Sequence, residues 1–155
     1  MVIDIARRNT LNRIRRCCKI MGRDDDEELS PAQIMYPCMQ CTDIFFLKAD
    51  ICQLGMDQLK VNVLAREYCD MRKDLEKPII VSHHMLMGLK ENQEKMSKSD
   101  ADSAIFMEDE ADVVFKKIAK KAFCKPGDIL TNPILDYAKH IIFQSFPEFV
   151  VKRSA

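Results

Sequence analysis

The apolar positions of the first fifty residues predict two helices separated by a polar stretch. A ragged helical stripe covers residues 3–21, and Gly22 fits the end of that helix. Residues 23–28 are acidic and predict a loop. Residues 30–33 (Ser-Pro-Ala-Gln) are a strong start signal, with Ser as N-cap, Pro at the first helical position and Gln completing a capping box. This second helix should run to about Lys48.

Two short apolar runs flank an amphipathic segment in the middle of the chain. Residues 49–54 and 78–82 each predict a buried strand, and residues 57–75 carry apolar groups at helical spacing. The order strand, helix, strand implies a parallel sheet with a crossover helix. We therefore expect an α/β fold.

The last third of the chain changes from a polar loop to helices. Residues 83–104 are rich in polar groups, and a loop of that length is usually functional or disordered. Helices are predicted near residues 109–123 and 133–145. We expect one domain over residues 1–104 and the start of a second, helical domain over residues 105–155.

The composition is that of a soluble globular protein, with 47% hydrophobic and 31% charged residues. The formal net charge is zero, so the chain lacks the basic excess that many nucleic-acid-binding domains show. Two basic runs stand out, and each fits either a solvated helix face or contact with an RNA backbone. They are Arg7, Arg8, Arg13, Arg15, Arg16, Lys19 and Arg23, and Lys116, Lys117, Lys120, Lys121 and Lys125.

The seven cysteines occur without a signal peptide or a run of eighteen apolar residues. We therefore expect reduced thiols, a cytoplasmic location and no membrane span. Cys38 and Cys41 form a C-x-x-C, but no second Cys or His pair stands at zinc-site spacing. Their position in a predicted helix favours a role in the core, and we predict no protein metal site.

Three polar residues share one face of the helix that begins near Ser30. Tyr36, Gln40 and Asp43 stand at i, i+4 and i+7, among Met, Ile and Phe residues. Buried polar groups need partners. This face therefore fits either a satisfied internal network or the lining of a ligand site.

A second polar group surrounds the end of the first predicted strand. Gln53 lies in the strand, and Gly55, Asp57 and Gln58 follow at its carboxyl end, where open α/β sheets bind ligands. Gly55 would let a ligand approach the backbone, and Asp57 and Gln58 can hydrogen-bond sugar hydroxyls. The alternative is structural, because Asp is also a good helix N-cap.

The long polar loop contains the pentapeptide Lys95-Met96-Ser97-Lys98-Ser99. Two lysines and two hydroxyl groups suit the binding of a triphosphate. They can stabilise its negative charge more strongly in the transition state than in the ground state. An ordinary solvated loop is the alternative for a pentapeptide of this kind taken alone.

Together these motifs resemble those of the tyrosyl-tRNA synthetases of the eukaryotic and archaeal type. Residues 95–99 match the KMSKS signature of class I aminoacyl-tRNA synthetases letter for letter. Residues 36–43 resemble the family's Y-P-x-x-Q-x-x-D helix, residues 53–58 its next motif, and residues 83–89 (His-His-Met-Leu-Met-Gly-Leu) its adenine-side loop. The resemblance runs in order through nearly the whole chain.

The resemblance implies a fold and a reaction. The chain would be the second half of a Rossmann-like parallel-sheet catalytic domain, followed by the first α-helices of an anticodon-binding domain. The carboxylate of tyrosine would attack the α-phosphate of ATP, with Mg²⁺ accompanying the ATP and no prosthetic group. The resulting tyrosyl-adenylate would then charge tRNA(Tyr).

The resemblance also implies residue roles, including a hydrogen bond from the substrate phenol to Asp43. The tyrosine-binding residues would be Tyr36, Gln40, Asp43 and Gln53. The ATP-binding residues would be Gly55, Asp57, Gln58, Met85, Leu86 and Met96. The catalytic residues, whose lysines would stabilise the departing pyrophosphate, would be Lys95, Ser97, Lys98 and Ser99.

One signature of the family, H-x-G-H, is missing, since the three histidines are His83, His84 and His140. We therefore expect a fragment or one part of a split or tandem enzyme, inactive alone and completed by a second chain or segment that carries H-x-G-H. Analogy with the family suggests a dimer. The alternatives are a tryptophanyl-tRNA synthetase, against which the Tyr36, Gln40 and Asp43 helix argues, a non-catalytic half-domain that binds tRNA or a partner, and a nucleotide-binding protein with unrelated transfer chemistry.

Overall fold

A computed structural model describes residues 1–18 and 28–152 of the chain. Packing divides the chain into a first unit, Met1–His83, and a second unit, His84–Ala155. The domain boundary predicted between residues 104 and 105 lies further along the chain and stays a prediction. The helix end expected at Gly22 and residues 23–27 of the expected loop lie outside the described residues.

The first unit consists of helices packed beside two strands. Its elements are α1 (Val2–Arg8), α2 (Leu11–Cys18), α3 (Pro31–Phe46), β1 (Ile51–Gly55), α4 (Leu59–Met71) and β2 (Ile79–His83). The prediction of one helix over residues 3–21 was wrong, because Asn9 has an extended backbone and separates α1 from α2. The side chains at the break stabilise both ends: Asn9 Nδ2 donates to Ile5 O (2.9 Å), and Thr10 Oγ1 accepts from the N–H of Arg13 (3.2 Å).

Helix α3 begins as predicted, with a reciprocal capping box. The Ser30 Oγ accepts from the N–H of Gln33 (3.3 Å), and the Gln33 Oε1 accepts from the N–H of Ser30 (2.8 Å). The helix continues through the buried Pro37 and ends at Phe46. Lys48, the predicted end, has a φ of 52° and lies in the left-handed region that cannot extend a helix.

Replacing Ser30 with alanine should lower the free energy of unfolding by about 1 kcal/mol, since the first turn of α3 would lose its cap. Equilibrium unfolding in urea would measure the change. Ser145→Ala is a suitable control, because Ser145 is exposed and lies at the end of the last helix. Equal losses in the two variants would show that the capping box contributes little.

The two strands pair in parallel, which confirms the predicted sheet type. The register runs from Ile51 opposite Ile79 to Gly55 opposite His83. Helix α4 connects the strands, so the strand, helix, strand order of the sequence is present. The carboxyl end of β1 leads directly into a 3-10 turn, Met56–Gln58, and then into α4.

The core of the first unit lies between its helices and the sheet, and Tyr68 of α4 is its largest fully buried side chain. The Tyr68 ring packs 5.6 Å from that of Phe45, and its hydroxyl donates to Asp4 Oδ2 (2.6 Å). The buried cluster comprises Ile5, Ile14, Cys17, Cys38, Cys41, Ile44, Cys52, Val61, Leu64, Ala65 and Tyr68.

None of the seven cysteines, all of which lie among the described residues, forms a disulfide bond. Cys38 and Cys41 are buried in α3, which confirms the core role predicted for the C-x-x-C. Burial raises the pKa of the Cys41 thiol to about 12, because the thiolate is poorly solvated there. Cys124, in the second unit, is the one exposed cysteine.

The second unit starts with the long irregular segment that the sequence predicts, interrupted by a 3-10 turn, Ala101–Ser103. Helix α5 (Ala111–Lys121) follows. The helix predicted over residues 133–145 is present, but the π-helical turn Ala138–Ile142 separates α6 (Pro133–Tyr137) from α7 (Phe143–Ser145). Among the described residues, no helix combines the length and apolar character that crossing a membrane requires.

The basic run on α5 is not a uniformly solvated face. Lys117 is only 8% exposed, and its Nζ donates to Asp109 Oδ2 (2.6 Å) and to Ala104 O (2.9 Å). Lys121 pairs with Asp102 at 3.1 Å. Lys117 therefore serves packing rather than RNA contact. Lys19 and Arg23 of the other basic run lie outside the described residues.

Candidate functional site

A side-chain hydrogen bond joins two of the predicted motifs within the first unit. The Gln40 Nε2 on α3 donates to the Gln58 Oε1 in the 3-10 turn after β1 (2.8 Å). On the same helix face, Tyr36 is 51% exposed and Asp43 is exposed. The phenol and the carboxylate are thus accessible on either side of an amide that reaches the end of the strand.

The Gln40 side chain is only half satisfied. Its Oε1 is buried and has no hydrogen-bond partner among the described residues. An unpaired buried acceptor costs about 1–3 kcal/mol. A satisfied internal network was one interpretation of this helix face, and the orphaned oxygen favours the other interpretation, a face that receives a donor from a ligand.

The segment after β1 places its polar side chains differently from a simple helix cap. Gln58, not Asp57, occupies the N-cap position of α4. Asp57 is half-buried in the preceding turn, and Gly55 is buried with an extended backbone at φ −61°. That conformation suits any residue, so a need for glycine at position 55 would come from close approach of a ligand, which stays a prediction.

Gln53 lies on the open side of the sheet. Successive strand residues point to opposite faces, and the neighbouring Cys52 belongs to the buried core. The Gln53 side chain is exposed on the other face. A ligand on that face would be within reach of an amide that can both donate and accept.

In the second unit, α6 holds the backbone of the predicted adenine-side loop. The N–H of Met87 donates to Asp136 Oδ2 (3.1 Å), and the Tyr137 hydroxyl donates to Met87 O (2.6 Å). Burial, together with the Asp136 charge, raises the pKa of Tyr137 to about 12, so the phenol remains a donor. Met85 and Leu86 are half-buried beside this fixed residue.

A pocket of about 430 Å³ lies against the same loop. Its volume falls within the range of small-molecule sites. Its lining residues, all in the second unit, are His84, Met85, Met87, Gly88, Lys90, Asn92, Gln93, Glu94 and Thr131. The pocket therefore combines two methionine side chains with six polar or charged side chains, next to the backbone predicted to meet adenine.

The KMSKS segment is anchored by a buried serine four residues beyond it. The Ser103 Oγ accepts from the N–H of Ser97 (3.2 Å) and donates to Asp100 O (2.7 Å). The hydroxyl oxygens of Ser97 and Ser99 are 2.7 Å apart. These hydrogen bonds of Ser103 fix the backbone of the segment, while the hydroxyl groups of Ser97 and Ser99 remain at the surface.

The two lysines of the segment are exposed, and Met96 is half-buried between them. An exposed ammonium group on a flexible side chain can approach an anionic ligand without a large desolvation cost. The arrangement suits an encounter with a phosphate chain. The assignment of Lys95 and Lys98 to pyrophosphate stays a prediction.

Three residues with structural roles at these sites were not predicted. Ser103 anchors the KMSKS segment, and Asp136 and Tyr137 hold the backbone of Met87. No sequence pattern signalled these roles, since the partners of all three side chains lie in irregular backbone.

A family model described as tRNA synthetases class I (W and Y) matches residues 1–149. Tyrosine--tRNA ligase 1, cytoplasmic, from Arabidopsis thaliana is 66% identical over 154 residues, which is 99% of this chain and 40% of that protein. Tyrosine--tRNA ligase 2, cytoplasmic, from the same plant is 63% identical over 98% of this chain and 20% of that protein. The chain thus spans less than half the length of these curated relatives.

Solved structures give the same result. The tyrosyl-tRNA synthetase of Leishmania major in complex with tyrosinol is 54% identical, with a TM-score of 0.75 over 91% of this chain and 29% of that chain. The enzyme of Pyrococcus horikoshii complexed with L-tyrosine is 36% identical, with a TM-score of 0.79 over 95% of this chain and 46% of that chain. A tryptophanyl-tRNA synthetase from Mycoplasma pneumoniae is 22% identical, which supports likeness of fold alone.

Proposed function

The chain belongs to the family of class I tRNA synthetases for tryptophan and tyrosine, and from this premise we propose that it supplies tyrosine- and ATP-binding elements of a tyrosyl-tRNA synthetase. The predicted fold class is confirmed, because the parallel sheet is present and the similar structures are class I synthetases. Tyrosine rather than tryptophan is supported by the two plant ligases at 66% and 63% identity.

One observation carries the proposal: the hydrogen bond between Gln40 and Gln58, together with the orphaned Gln40 Oε1. It brings the helix that resembles the tyrosine-binding motif next to the segment that resembles the ribose-binding motif. It also leaves a buried acceptor available at that junction. A substrate ammonium or hydroxyl group is the kind of donor that would satisfy it.

In this proposal, tyrosine is held by Tyr36, Gln40, Asp43 and Gln53, with Asp43 accepting from the substrate phenol. An amino acid without the phenol hydroxyl would leave polar groups unpaired, which gives selectivity against phenylalanine. The adenylate ribose and adenine are bound by Gly55, Asp57, Gln58, Met85, Leu86 and Met96.

The chemical step needs positioning and charge stabilisation more than proton transfer. The tyrosine carboxylate attacks the α-phosphorus of ATP, the bond to the bridging oxygen breaks, and pyrophosphate leaves. Lys95 and Lys98, with the hydroxyl groups of Ser97 and Ser99, stabilise the charge that develops on that leaving group. Mg²⁺ enters with ATP and neutralises part of the phosphate charge.

The proposed partners follow from the family. The tyrosyl group is passed to tRNA(Tyr), and a chain or segment carrying H-x-G-H completes the active site, in an assembly proposed to be dimeric. The cytoplasm is the proposed location, supported by the names of the two plant relatives.

Amino-acid-dependent exchange of labelled pyrophosphate into ATP tests the proposal. The chain would be mixed with a polypeptide carrying the H-x-G-H half of a tyrosyl-tRNA synthetase. We expect exchange with tyrosine, little with tryptophan and none from the chain alone. Gln40→Leu should raise the KM for tyrosine, whereas Met39→Leu, on the neighbouring exposed position, should not.

Each other outcome supports a different function. Exchange with tryptophan in place of tyrosine would identify a tryptophan enzyme. Retention of tRNA without any exchange would identify a non-catalytic binding module. Exchange by the isolated chain would overturn the requirement for a second half.

A further inference from the structure

Lys117 of α5 is a buried cation to which the proposed function gives no role. It is 8% exposed, and its Nζ donates to Ala104 O (2.9 Å) and to Asp109 Oδ2 (2.6 Å). The centroid of the Phe106 ring lies 4.8 Å from the same Nζ. A buried ammonium group needs such partners to offset its loss of hydration. All three partners belong to residues 104–109, a segment without helix or strand that precedes α5.

Asp109 provides the counter-charge for this ammonium group. Its side chain is 14% exposed, and its Oδ2 also accepts from the N–H of Phe106 (2.9 Å). The hydrogen bond from Lys117 is the main reason that the pKa of Asp109 lies below its ordinary value. The carboxylate is therefore ionised at neutral pH, and it holds the turn before α5 together with Lys117.

The contact to Ala104 reaches the KMSKS segment through a single residue. Ser103 precedes Ala104 and is fully buried, and its Oγ accepts from the N–H of Ser97 (3.2 Å). The Ser103 O accepts from the N–H of Leu89 (2.9 Å). Two consecutive carbonyl groups, those of Ser103 and Ala104, are thus held by different parts of the second unit. The position of the Ser103 hydroxyl, and with it the backbone of Ser97, depends on both contacts.

We propose that Lys117 is a positioning residue for the KMSKS segment, because it fixes the Ala104 carbonyl and thereby the serine that binds the Ser97 N–H. The inference rests on the proposed function, in which Lys98 stabilises the leaving pyrophosphate. Groups that stabilise developing charge are most effective when they are in place before the reaction, and irregular backbone gains this precision from a rigid neighbouring element. Helix α5 is that element, and Lys117 is its only buried residue.

The test uses a double variant, Lys117→Met with Asp109→Asn. Removing one partner of a buried ion pair leaves an uncompensated charge, so the second substitution is needed to preserve the fold. Methionine retains most of the length of the lysine side chain, and the amide oxygen of asparagine can still accept from the Phe106 N–H. The matched control is Lys116→Met, at the exposed neighbouring position of α5.

Amide hydrogen exchange of the full chain, measured by NMR without substrate, tests the contact itself. In the double variant the Ser97 N–H should exchange about 10- to 100-fold faster, the factor expected from losing one hydrogen bond to a charged group. The Met87 N–H, which Asp136 holds in the same unit, should exchange at an unchanged rate. Equal acceleration at Ser97 and Met87 would show that Lys117 only stabilises the fold. Unchanged exchange at Ser97 would overturn the proposal.

Adenylation by the chain reconstituted with a polypeptide carrying H-x-G-H tests the consequence. The double variant should form tyrosyl-adenylate about 10- to 100-fold more slowly, since a small misplacement of a catalytic group has effects of that size. Its KM for tyrosine should stay unchanged, and Lys116→Met should behave as the unmodified protein. A raised KM with an unchanged rate would contradict the positioning role.

The Lys98→Ala variant separates this inference from the proposed function on which it rests. If Lys98→Ala slows adenylation and the double variant does not, the positioning role of Lys117 is wrong and the proposed function stands. If the unmodified reconstituted protein forms no adenylate, both are wrong. Slower adenylation in both variants, with faster exchange confined to Ser97, supports both.

Discussion

Replacing Lys98 with alanine should slow tyrosyl-adenylate formation by about 10²–10³-fold, the usual effect of removing one group that stabilises developing charge. Lys98 is exposed on a segment whose backbone is fixed by Ser103, so its ammonium group can reach a phosphate chain from a defined starting point. Because the lysine is proposed to act on the leaving pyrophosphate, the loss should appear in kcat while the KM for tyrosine changes little.

The measurement is single-turnover adenylation in the reconstituted protein. Lys120→Ala is the matched control, since Lys120 is exposed in the same unit but lies on α5. Lys98→Arg should recover part of the rate, because the charge is retained with a different geometry. An unchanged rate in Lys98→Ala would favour the binding-module alternative over the enzyme.

Replacing Tyr68 with alanine should lower the free energy of unfolding of the first unit by about 3–5 kcal/mol. Tyr68 is 0% exposed, and its removal would leave a cavity among the helices and break the packing against Phe45. A loss of that size is a large fraction of the stability of an ordinary domain. Urea unfolding followed by circular dichroism would measure it.

Tyr68→Phe separates the packing contribution from that of the hydroxyl group. The hydrogen bond from Tyr68 is the main reason that the pKa of Asp4 lies below its ordinary value of 3.8, with Arg8 adding to the effect. The ionised Asp4 therefore stabilises the fold above that ordinary pKa, and the contribution disappears as the pH falls through the lowered pKa. The Phe variant should lose less free energy of unfolding than the Ala variant. Its loss should be present at neutral pH and should disappear in acid.

If the loss of unfolding free energy in the Phe variant grew as the pH fell below 4, the Tyr68 hydroxyl would not act through ionised Asp4. A Tyr68→Ala variant as stable as the unmodified chain would show that the first unit can repack around the lost ring. Leu64→Ala, at another fully buried position of α4, indicates the cost of a cavity that involves no hydroxyl group.

Local signals predicted the elements that carry their own caps or strong periodicity. Ser30 and Gln33 defined the start of α3 from four residues, because both capping hydrogen bonds are local. The break between α1 and α2 was missed, since the apolar stripe continues across it. The extended backbone of Asn9 and the hydrogen bonds of Asn9 and Thr10 reveal it.

In the candidate site, too, local features could be predicted from the sequence and contacts between distant residues could not. Periodicity placed Tyr36, Gln40 and Asp43 on one face, but the bond from Gln40 to Gln58 joins positions 18 apart and requires the tertiary fold. The burial of Lys117 could not be predicted from the sequence either, because it stands in a run of otherwise similar lysines. The π-helical turn Ala138–Ile142 likewise has no sequence signature.

The single exposed thiol makes the chain suitable for quantitative labelling with maleimides. Thiolates are the reactive species, and the buried thiols are shielded from reagent, with that of Cys41 held protonated at neutral pH. Folded protein should therefore take up one label, at Cys124, and unfolded protein seven. The stoichiometry of the adduct, read by mass spectrometry, would report the folded fraction of any variant described above without a spectroscopic baseline.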